Sequence, residues 1–228
     1  ETRRMPTRPI TLLLTSDEET GSLHSRALIE DLARQAEAAF CLEPAMANGA
    51  IKTSRKGTGD IFLEVHGVAA HAGVNHEKGR NATEELAYHV LAAQRLTDYS
   101  KGTTVNVGLF SGGTRRNVVP ELARAEIDFR VQEMGEIERL RVWVDGLRPV
   151  ISGATLSARL ELNRPPMPRD ALMAQSFEKA RALAAQFGLD LQETGTGGGS
   201  DANFNAPLGV PLLDGLGPVG DGAHSAHE

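Results

Sequence analysis

The sequence predicts an α/β domain that is interrupted by an inserted α+β domain. Three observations predict this: apolar runs beside helix-period segments at both ends of the chain, half-polar alternating runs in the middle, and the Pro-rich link "NRPPMPRD". The chain has 228 residues, 40% of them hydrophobic and 24% charged, which is enough for one large domain or two ordinary ones. We expect residues 1–55 and 168–228 to form the α/β domain around an insertion of residues 56–167.

The first part is expected to contain a strand, a helix and a strand. Residues 9–15, "PITLLLT", form an apolar run bounded by polar residues, which predicts a buried strand. A helix is predicted at about residues 23–36, and "AAFCL" at residues 38–42 predicts the second strand. The apolar stripe of the helix is formed by Leu28, Ile29, Leu32 and Ala36. Strand–helix–strand order is typical of a parallel sheet.

The middle part alternates with a period of two residues. In "GDIFLEVHGV" the side chains of Ile61, Leu63 and Val65 share one face, and "ELARAEIDFRVQ" alternates in the same way. This pattern predicts an antiparallel sheet with one face in water. Helices at about 82–97 and 134–147 complete a β-α-β-β-α-β order, which is the ferredoxin-like arrangement.

The last part returns to the pattern of the first. A helix is predicted at about residues 171–187, followed by a short strand, the glycine cluster "GTGGGS" and the apolar run "GVPLLDGLG". This segment is expected to complete the α/β domain.

Charge and composition exclude several classes of function. A net charge of −6 provides no basic surface, so we expect no nucleic-acid partner. No apolar stretch has the length that a membrane-spanning helix needs. The single cysteine, Cys41, excludes an internal disulfide and lies in an apolar run, which predicts a core residue rather than a nucleophile. A reducing compartment fits this, and we expect a cytoplasmic protein.

Acidic residues follow two of the predicted strands. Asp17, Glu18 and Glu19 come just after the first apolar run, and Glu43 follows the next strand. Strand-end loops are where parallel α/β sheets bind ligands. Carboxylates together with an imidazole, here that of His224 after a glycine-rich loop, are the ligands of zinc or a similar divalent ion. A bound dication would also relieve the repulsion within the acidic triplet.

A simpler interpretation of the acidic triplet stays open. The three residues precede a predicted helix, and acidic side chains at a helix N-terminus are stabilised by the helix dipole. In the same way, His71 and Asn117 could be turn residues and Arg130 a solvated charge at a sheet edge.

Six segments occur in the order seen in one family: "TSDEETGS", "CLEPA", "GVAAHAG", "RNVVPELARAEIDFR", "TGTGGGSDANF" and "GDGAHSAHE". In this order they resemble the two-zinc exopeptidases and deacylases related to glutamate carboxypeptidase (carboxypeptidase G), acetylornithine deacetylase, succinyl-diaminopimelate desuccinylase and aminoacylase. The resemblance runs over almost the whole chain. It implies a zinc-exopeptidase-like parallel-sheet catalytic domain, here incomplete, interrupted by a ferredoxin-like lid and dimerisation domain.

The resemblance also implies a role for each site residue. Glu18 matches the general base, and the metal ligands are Glu19, Glu43 and His224. His71 matches the histidine that reaches the partner subunit's active site and polarises the scissile carbonyl. The residues implied to bind substrate are Asn117, Arg130, Gly197, Gly198 and Gly199, with Arg130 on the terminal carboxylate. Two Zn²⁺ per subunit are implied, or Co²⁺ or Mn²⁺ in their place, as is a homodimer formed through the lid.

The family has two further ligand segments upstream of the matched region, a histidine in an H-x-D motif and an aspartate that bridges the metals. The chain begins at "ETRRMPTRP" and ends at "GAHSAHE", and neither segment is present. We therefore expect a fragment that by itself binds zinc weakly and hydrolyses no substrate, although the parent protein is a hydrolase.

The resemblance implies a metal-dependent amide hydrolase that releases a C-terminal amino acid, with glutamate as the first guess, from a peptide or N-acyl amino acid. One alternative is a deacetylase or desuccinylase of amino-acid metabolism, and another is a non-catalytic dimerisation module. A nucleotide-binding domain ranks last, because "GTGGGS" lacks the lysine of a phosphate-binding loop.

Overall fold

The computed structural model describes residues 7–220. Its strands, in chain order, are β1 (Ala39–Cys41), β2 (Pro44–Ala45), β3 (Ile51–Arg55), β4 (Gly57–His66), β5 (Thr104–Gly112), β6 (Leu122–Val131), β7 (Thr155–Arg164), β8 (Glu193–Thr196), β9 (Leu212–Asp214) and β10 (Gly217–Val219). Its α-helices are α1 (Arg26–Gln35), α2 (Ala82–Gln94), α3 (Met134–Gly146), α4 (Ala171–Ala185) and α5 (Ala202–Asn205). Within this range no helix is long and apolar enough to cross a membrane.

The α/β part is built on a four-stranded sheet in the order β1-β9-β3-β8. The outer pairs, β1 with β9 and β3 with β8, are parallel, as predicted. In the centre, β3 meets β9 in an antiparallel contact between Lys52 and Asp214. A separate parallel pair joins β10 to β2. Because β1 and β9 are parallel and end opposite each other, at Cys41 and Asp214, the loops that follow these two strands lie close together.

The prediction of a strand at residues 9–15 is wrong. This segment forms no strand, and Ile10, Leu12 and Leu14 are 76%, 71% and 83% exposed. An extended segment becomes a strand only where a neighbour supplies partners for its backbone N–H and C=O groups. Among residues 7–220 no strand pairs with it.

The predicted stripe of α1 is correct in part. Ile29 is buried and Leu32 half-buried, whereas Leu28 is half exposed and Ala36 is exposed. The helix packs against α5 through a narrower face that includes the buried Ala33. Ala36 cannot extend the stripe because it already has an extended backbone, with ψ of 148°.

The middle part folds as the alternation predicts. Its antiparallel sheet has the order β5-β6-β4-β7, and α2 and α3 pack on one face, which is the ferredoxin-like arrangement. The inward residues of β4 and β6, such as Ile61 and Phe129, are fully buried. The core cluster of this part runs from Ile61 to Val144, and its partly buried neighbours extend to Leu162. These limits support the boundaries 56 and 167, which we propose for the inserted domain.

Glu136 is a buried carboxylate that fastens α3 to the turn before β5. It accepts hydrogen bonds from Thr103 Oγ1 at 2.8 Å, Lys101 Nζ at 3.1 Å and Arg139 Nε at 2.8 Å. These donors lower the pKa of Glu136 to about 2, and the hydrogen bond from Arg139 has the largest effect. Because the carboxyl pKa is lower in the folded protein than its ordinary value of 4.5, the ionised carboxylate stabilises the fold at pH values above 4.5. This stabilisation is lost as the pH falls toward 2.

We expect Glu136→Gln to lower the free energy of unfolding at pH 7 by about 1.5–3 kcal/mol, because hydrogen bonds to a charged acceptor are lost. The difference from wild type should shrink at about pH 3, where the wild-type carboxylate begins to take up its proton. Urea unfolding followed by circular dichroism at both pH values measures this. Glu138→Gln is the control, since Glu138 lies on the same helix and is 69% exposed. An equal loss at both pH values would contradict the assignment.

Candidate active site

A cavity of about 470 Å³ lies where the α/β part meets the antiparallel sheet. From the α/β part it is lined by Glu18, Glu19, Thr20, Gly21, Glu43, Gly198 and Gly199. From the sheet it is lined by Thr58, Gly59, Asp60, Asp128, Arg130, Asn163 and Arg164. Six of the residues singled out in the sequence therefore share one cavity, although they are spread over 182 positions of the chain, from Glu18 to Gly199.

The acidic triplet divides between two roles. Asp17 accepts hydrogen bonds from the backbone N–H groups of His24, at 2.9 Å, and Ser25, at 3.2 Å, so it holds the turn before α1 as the simpler interpretation predicts. Glu18 and Glu19 begin a short 3₁₀ helix, Glu18–Thr20, and line the cavity. The turn interpretation thus fits Asp17, whereas the metal-site interpretation of Glu18 and Glu19 stays a prediction.

Glu18 is held by Arg164, which lies at the end of β7. Arg164 Nη2 donates to Glu18 Oε1 at 2.8 Å and to its backbone carbonyl at 2.9 Å. The same guanidinium lies 3.4 Å from Asp201, which also accepts a hydrogen bond from the hydroxyl of Ser22. Burial raises the pKa of Glu18, and Arg164 opposes this rise. Glu18 is therefore a carboxyl of raised pKa in a cavity, which is typical of a general base.

Glu43 faces the same cavity from the loop after β1. Burial raises its pKa, and Arg55 opposes the rise from a distance of 3.8 Å. Glu19 adds to the negative charge around Glu43. Two carboxylates predicted as metal ligands are thus brought to one cavity.

On the sheet side, Arg130 pairs with its neighbour Asp128. Its Nε lies 3.0 Å from both carboxylate oxygens, and its Nη2 lies 2.8 Å from Oδ1. Asp60 lies opposite Asp128 in the β4–β6 register, and burial, followed by the charge of Asp128, raises the pKa of Asp60. Besides Arg164, the sheet wall thus presents the guanidinium of Arg130 among carboxylates.

His71 and Asn117 lie near each other but away from this cavity. An isolated bridge joins His71 to Val118, and the N–H of Ala72 donates to the carbonyl of Asn117 at 3.0 Å. They lie beyond the end of β4 at His66, whereas the cavity touches the start of β4 at Thr58. At ~3.3 Å per residue, the eight steps along β4 from Thr58 to His66 span about 26 Å. Within one chain, His71 is therefore remote from Glu18.

The side chain of His71 is exposed and has a defined hydrogen-bond role. The N–H of Gly73 donates to His71 Nδ1 at 3.1 Å. A ring nitrogen that accepts a hydrogen bond is unprotonated, so the neutral ring carries its proton on Nε2. The exposed edge of the ring is therefore a donor.

The glycine-rich segment forms the loop between β8 and α5. Gly198 and Gly199 line the cavity, and Gly197 lies beside them with open space where a Cβ would stand. At Gly199 a Cβ would approach Arg164 Cδ to 3.0 Å and Thr58 Cγ2 to 3.1 Å. A side chain there would crowd the arginine that holds Glu18.

The described residues offer donors that suit zinc in kind but do not complete a ligand set. Glu19 and Glu43 supply carboxylate oxygens, which fit a hard or borderline dication. Among residues 7–220, no group of three or more His, Cys, Asp or Glu side chains could hold a metal ion. The third predicted ligand, His224, lies outside the described residues. Cys41 is no substitute, because burial raises the pKa of its thiol to about 12.

Sequence reasoning predicted Arg130 but missed two buried arginines, Arg55 and Arg164. Arg55 and Arg164 are 4% and 8% exposed, and their partners Asp214 and Asp201 come from distant positions. One signal was available: "TSRKG" and "LNRPP" place an arginine at the end of a strand next to a glycine or proline turn. Such a position allows the side chain to turn inward, but it does not require this.

Comparison with known proteins identifies relatives over nearly the whole chain. The profile of the peptidase dimerisation domain matches residues 53–144. Carboxypeptidase G2 of Pseudomonas sp. (strain RS-16) is 30% identical over 221 residues, which cover 95% of this chain and 53% of that protein. Succinyl-diaminopimelate desuccinylase of Ectopseudomonas mendocina (strain ymp) is 29% identical over 235 residues, covering 96% of this chain and 60% of that enzyme. The chain spans roughly half to three-fifths of the length of these relatives.

Solved structures show the same fold. The aminopeptidase PepT of Bacillus cereus superposes with a TM-score of 0.73 at 24% identity, over 93% of this chain and 57% of that chain. A tripeptidase of Staphylococcus aureus gives a TM-score of 0.71 at 22% identity, over 92% of this chain and 56% of that chain. The resemblance seen in the sequence is confirmed: the middle of the chain matches the peptidase dimerisation domain, and nearly the whole chain is similar to carboxypeptidase G2 and to succinyl-diaminopimelate desuccinylase.

Proposed function

We propose that the protein is a metal-dependent hydrolase of amide bonds, which releases a C-terminal amino acid from a peptide or N-acyl amino acid. Glutamate is the first candidate for the released amino acid. The observation that carries the proposal is the gathering of Glu18, Glu19 and Glu43 on one cavity, with Arg130 on its opposite wall. The named activities of the relatives, carboxypeptidase and desuccinylase, both break an amide bond next to a carboxylate-bearing residue.

In this proposal Glu18 is the general base. Its raised pKa brings it nearer to neutrality, where a base accepts and returns a proton most effectively. Arg164 keeps the carboxylate ionised and fixes its direction. Glu19, Glu43 and His224 would hold zinc, which supplies an electrophile and lowers the pKa of water. Two ions per subunit are proposed, as is typical of the family.

Arg130 is proposed to bind the terminal carboxylate of the substrate. A guanidinium offers a planar fork that fits a carboxylate with two hydrogen bonds. Arg130 already pairs with Asp128 through Nε and Nη2, which holds the guanidinium in place on the sheet, and its side chain is 36% exposed. Gly198 and Gly199 allow the substrate backbone to approach the loop, since neither carries a Cβ.

His71 is proposed to act on the active site of a second copy, together with Asn117. Its Nε2–H would donate to the scissile carbonyl and stabilise the oxyanion that develops there. The separation of about 26 Å along β4 within one chain supports this, because a second subunit can bring its His71 to a cavity that the first subunit's own His71 does not reach. We propose a homodimer formed through the lid, and a cytoplasmic location for the protein.

A second candidate function has an observation in its favour. Asp60 and Asp128 lie side by side on the cavity wall, and paired carboxylates suit the ammonium group of a diamino acid. This favours an N-acyl amino-acid deacetylase or desuccinylase, whose substrate carries a second amino group. A non-catalytic module would not require three carboxylates at one cavity.

An activity screen of the full-length gene product tests the proposal. N-acyl-glutamates, N-acetylornithine, N-succinyl-diaminopimelate and dipeptides are compared with and without a chelator. We expect hydrolysis of at least one class, greatest for N-acyl-glutamates, and its loss on chelation with recovery on adding zinc. No hydrolysis of any of these amides by zinc-loaded, folded protein would contradict the proposed activity.

Glu18→Gln is expected to lower kcat by about 10²–10⁴-fold, because the proton acceptor is lost. The variant should retain the bound zinc of the wild type, since Glu18 is proposed as a base and not as a ligand. Steady-state kinetics and metal analysis on the same sample measure both effects. Glu178→Gln, on the exposed face of α4, is the control and should leave kcat unchanged. Loss of zinc along with activity would contradict the assignment of Glu18.

A mixing experiment tests the placement of His71. We expect His71→Ala and Glu18→Gln to be inactive separately, and their 1:1 mixture of subunits to recover about a quarter of wild-type activity, because half of the dimers then have one intact site. His76→Ala, on the same loop, should remain active by itself. If the mixture stays inactive while both variants form dimers, His71 does not act across subunits.

A further inference from the structure

Arg55 is a buried arginine that the proposed mechanism does not use. It ends β3, and its side chain is 3% exposed. Its Nε donates to Asp214 Oδ2, and its Nη2 donates to Asp214 Oδ1 at 3.3 Å. Asp214 ends β9 and is fully buried. A buried charge requires such a partner, and the pair joins the ends of two strands.

The remaining donors of Arg55 reach the glycine-rich loop. Nη1 donates to the backbone carbonyls of Gly198, at 3.2 Å, and Gly199, at 3.1 Å. The hydroxyl of Ser200 follows the loop inward and donates to Asp214 at 3.4 Å. Three consecutive glycines have more conformational freedom than any other tripeptide, so hydrogen bonds from a fixed guanidinium restrict this loop strongly.

The same guanidinium faces the cavity carboxylate. Arg55 Nη2 lies 3.8 Å from Glu43 Oε2, and Glu43 follows β1, the strand that pairs with β9. One side chain therefore contacts Glu43, the glycine-rich loop and Asp214. These three partners are far apart in the sequence, and Arg55 contacts all of them.

We propose that Arg55 is a positioning residue that fixes Glu43 and the loop Gly197–Gly199 in one geometry around the cavity. This rests on the proposed function, which gives Glu43 and the loop their roles as metal ligand and substrate contact. Arg55 itself does not touch the substrate. Its planar fork is essential, because a lysine can keep the charge beside Asp214 but cannot bond three partners in fixed directions.

Arg55→Lys in the full-length gene product tests this. We expect the variant to fold, with amide hydrogen exchange at Gly197–Ser200 faster by about tenfold or more. Zinc affinity of the metal-free protein, measured by competition with a chelator, should fall by about 10–100-fold, as is found for groups that orient metal ligands. KM should rise and kcat should fall, because the substrate-contacting loop and the metal ligand are displaced together.

Arg169→Lys is the matched control. Arg169 also binds a carboxylate with two hydrogen bonds, to Glu193 at 2.7 Å each, but its side chain is 45% exposed. In Arg169→Lys, amide hydrogen exchange at Gly197–Ser200, zinc affinity and steady-state kinetics should equal those of wild type. Unchanged loop exchange and zinc affinity in folded Arg55→Lys would overturn the proposal, since the charge alone would then be sufficient.

If Arg55→Lys does not fold, the proposal is tested by a measurement on the wild-type protein. Nitrogen-15 NMR should show distinct, slowly exchanging Nη signals for Arg55, because bonds on both arms stop rotation about Cζ–Nε. A single averaged signal would overturn the proposal. An active wild type with an unaffected Arg55→Lys refutes only the positioning role, whereas a wild type that neither binds zinc nor hydrolyses an amide refutes the proposed function and this role with it.

Discussion

Repulsion among carboxylates is the constraint on which the candidate site depends. Glu18, Glu19 and Glu43 approach the cavity from one side, and Asp60 and Asp128 from the other. Burial raises the pKa of Glu18, Glu43 and Asp60, and the neighbouring carboxylates raise it further. A fold keeps such a cluster only where positive charge is supplied. In this chain arginines supply part of it, and we propose that zinc supplies the rest.

The arginines also connect the two parts of the molecule. Arg164 leaves the antiparallel sheet at the end of β7 and binds Glu18 and Asp201 in the α/β part. Asn163, its neighbour, donates to the carbonyl of Gly21 at 2.9 Å. The position of the inserted domain and the direction of the Glu18 carboxylate are therefore set by the same contacts. Movement of the lid would change the environment of the proposed base.

The inserted domain could be predicted from sequence because its signal is local. Alternation in "DIFLEV" and "ARAEIDF" is produced by a sheet with one dry and one wet face, and both strands form as expected. Residues 9–15 show the limit of such signals, since hydrophobicity does not reveal whether a partner strand is present. β3, "IKTSR", was missed for the opposite reason, because its polar residues hide a strand with buried positions.

The site could be predicted only as a set of residues, and its geometry could not. Motifs indicated Glu18, Glu43 and Gly199, which share a cavity, but also His71, which lies remote from it. Motif order carries no information about which subunit supplies a residue. Buried arginines such as Arg55 are hidden in another way, because arginine in a sequence ordinarily predicts a surface charge.

Counting zinc in the purified full-length gene product tests the central claim most directly. We expect about two zinc ions per subunit by elemental analysis, and their loss when Glu43 is replaced by glutamine, which has the same shape without the charge. A well-folded protein that contains no metal after purification in zinc, and whose metal content is unaffected by Glu43→Gln, would contradict it.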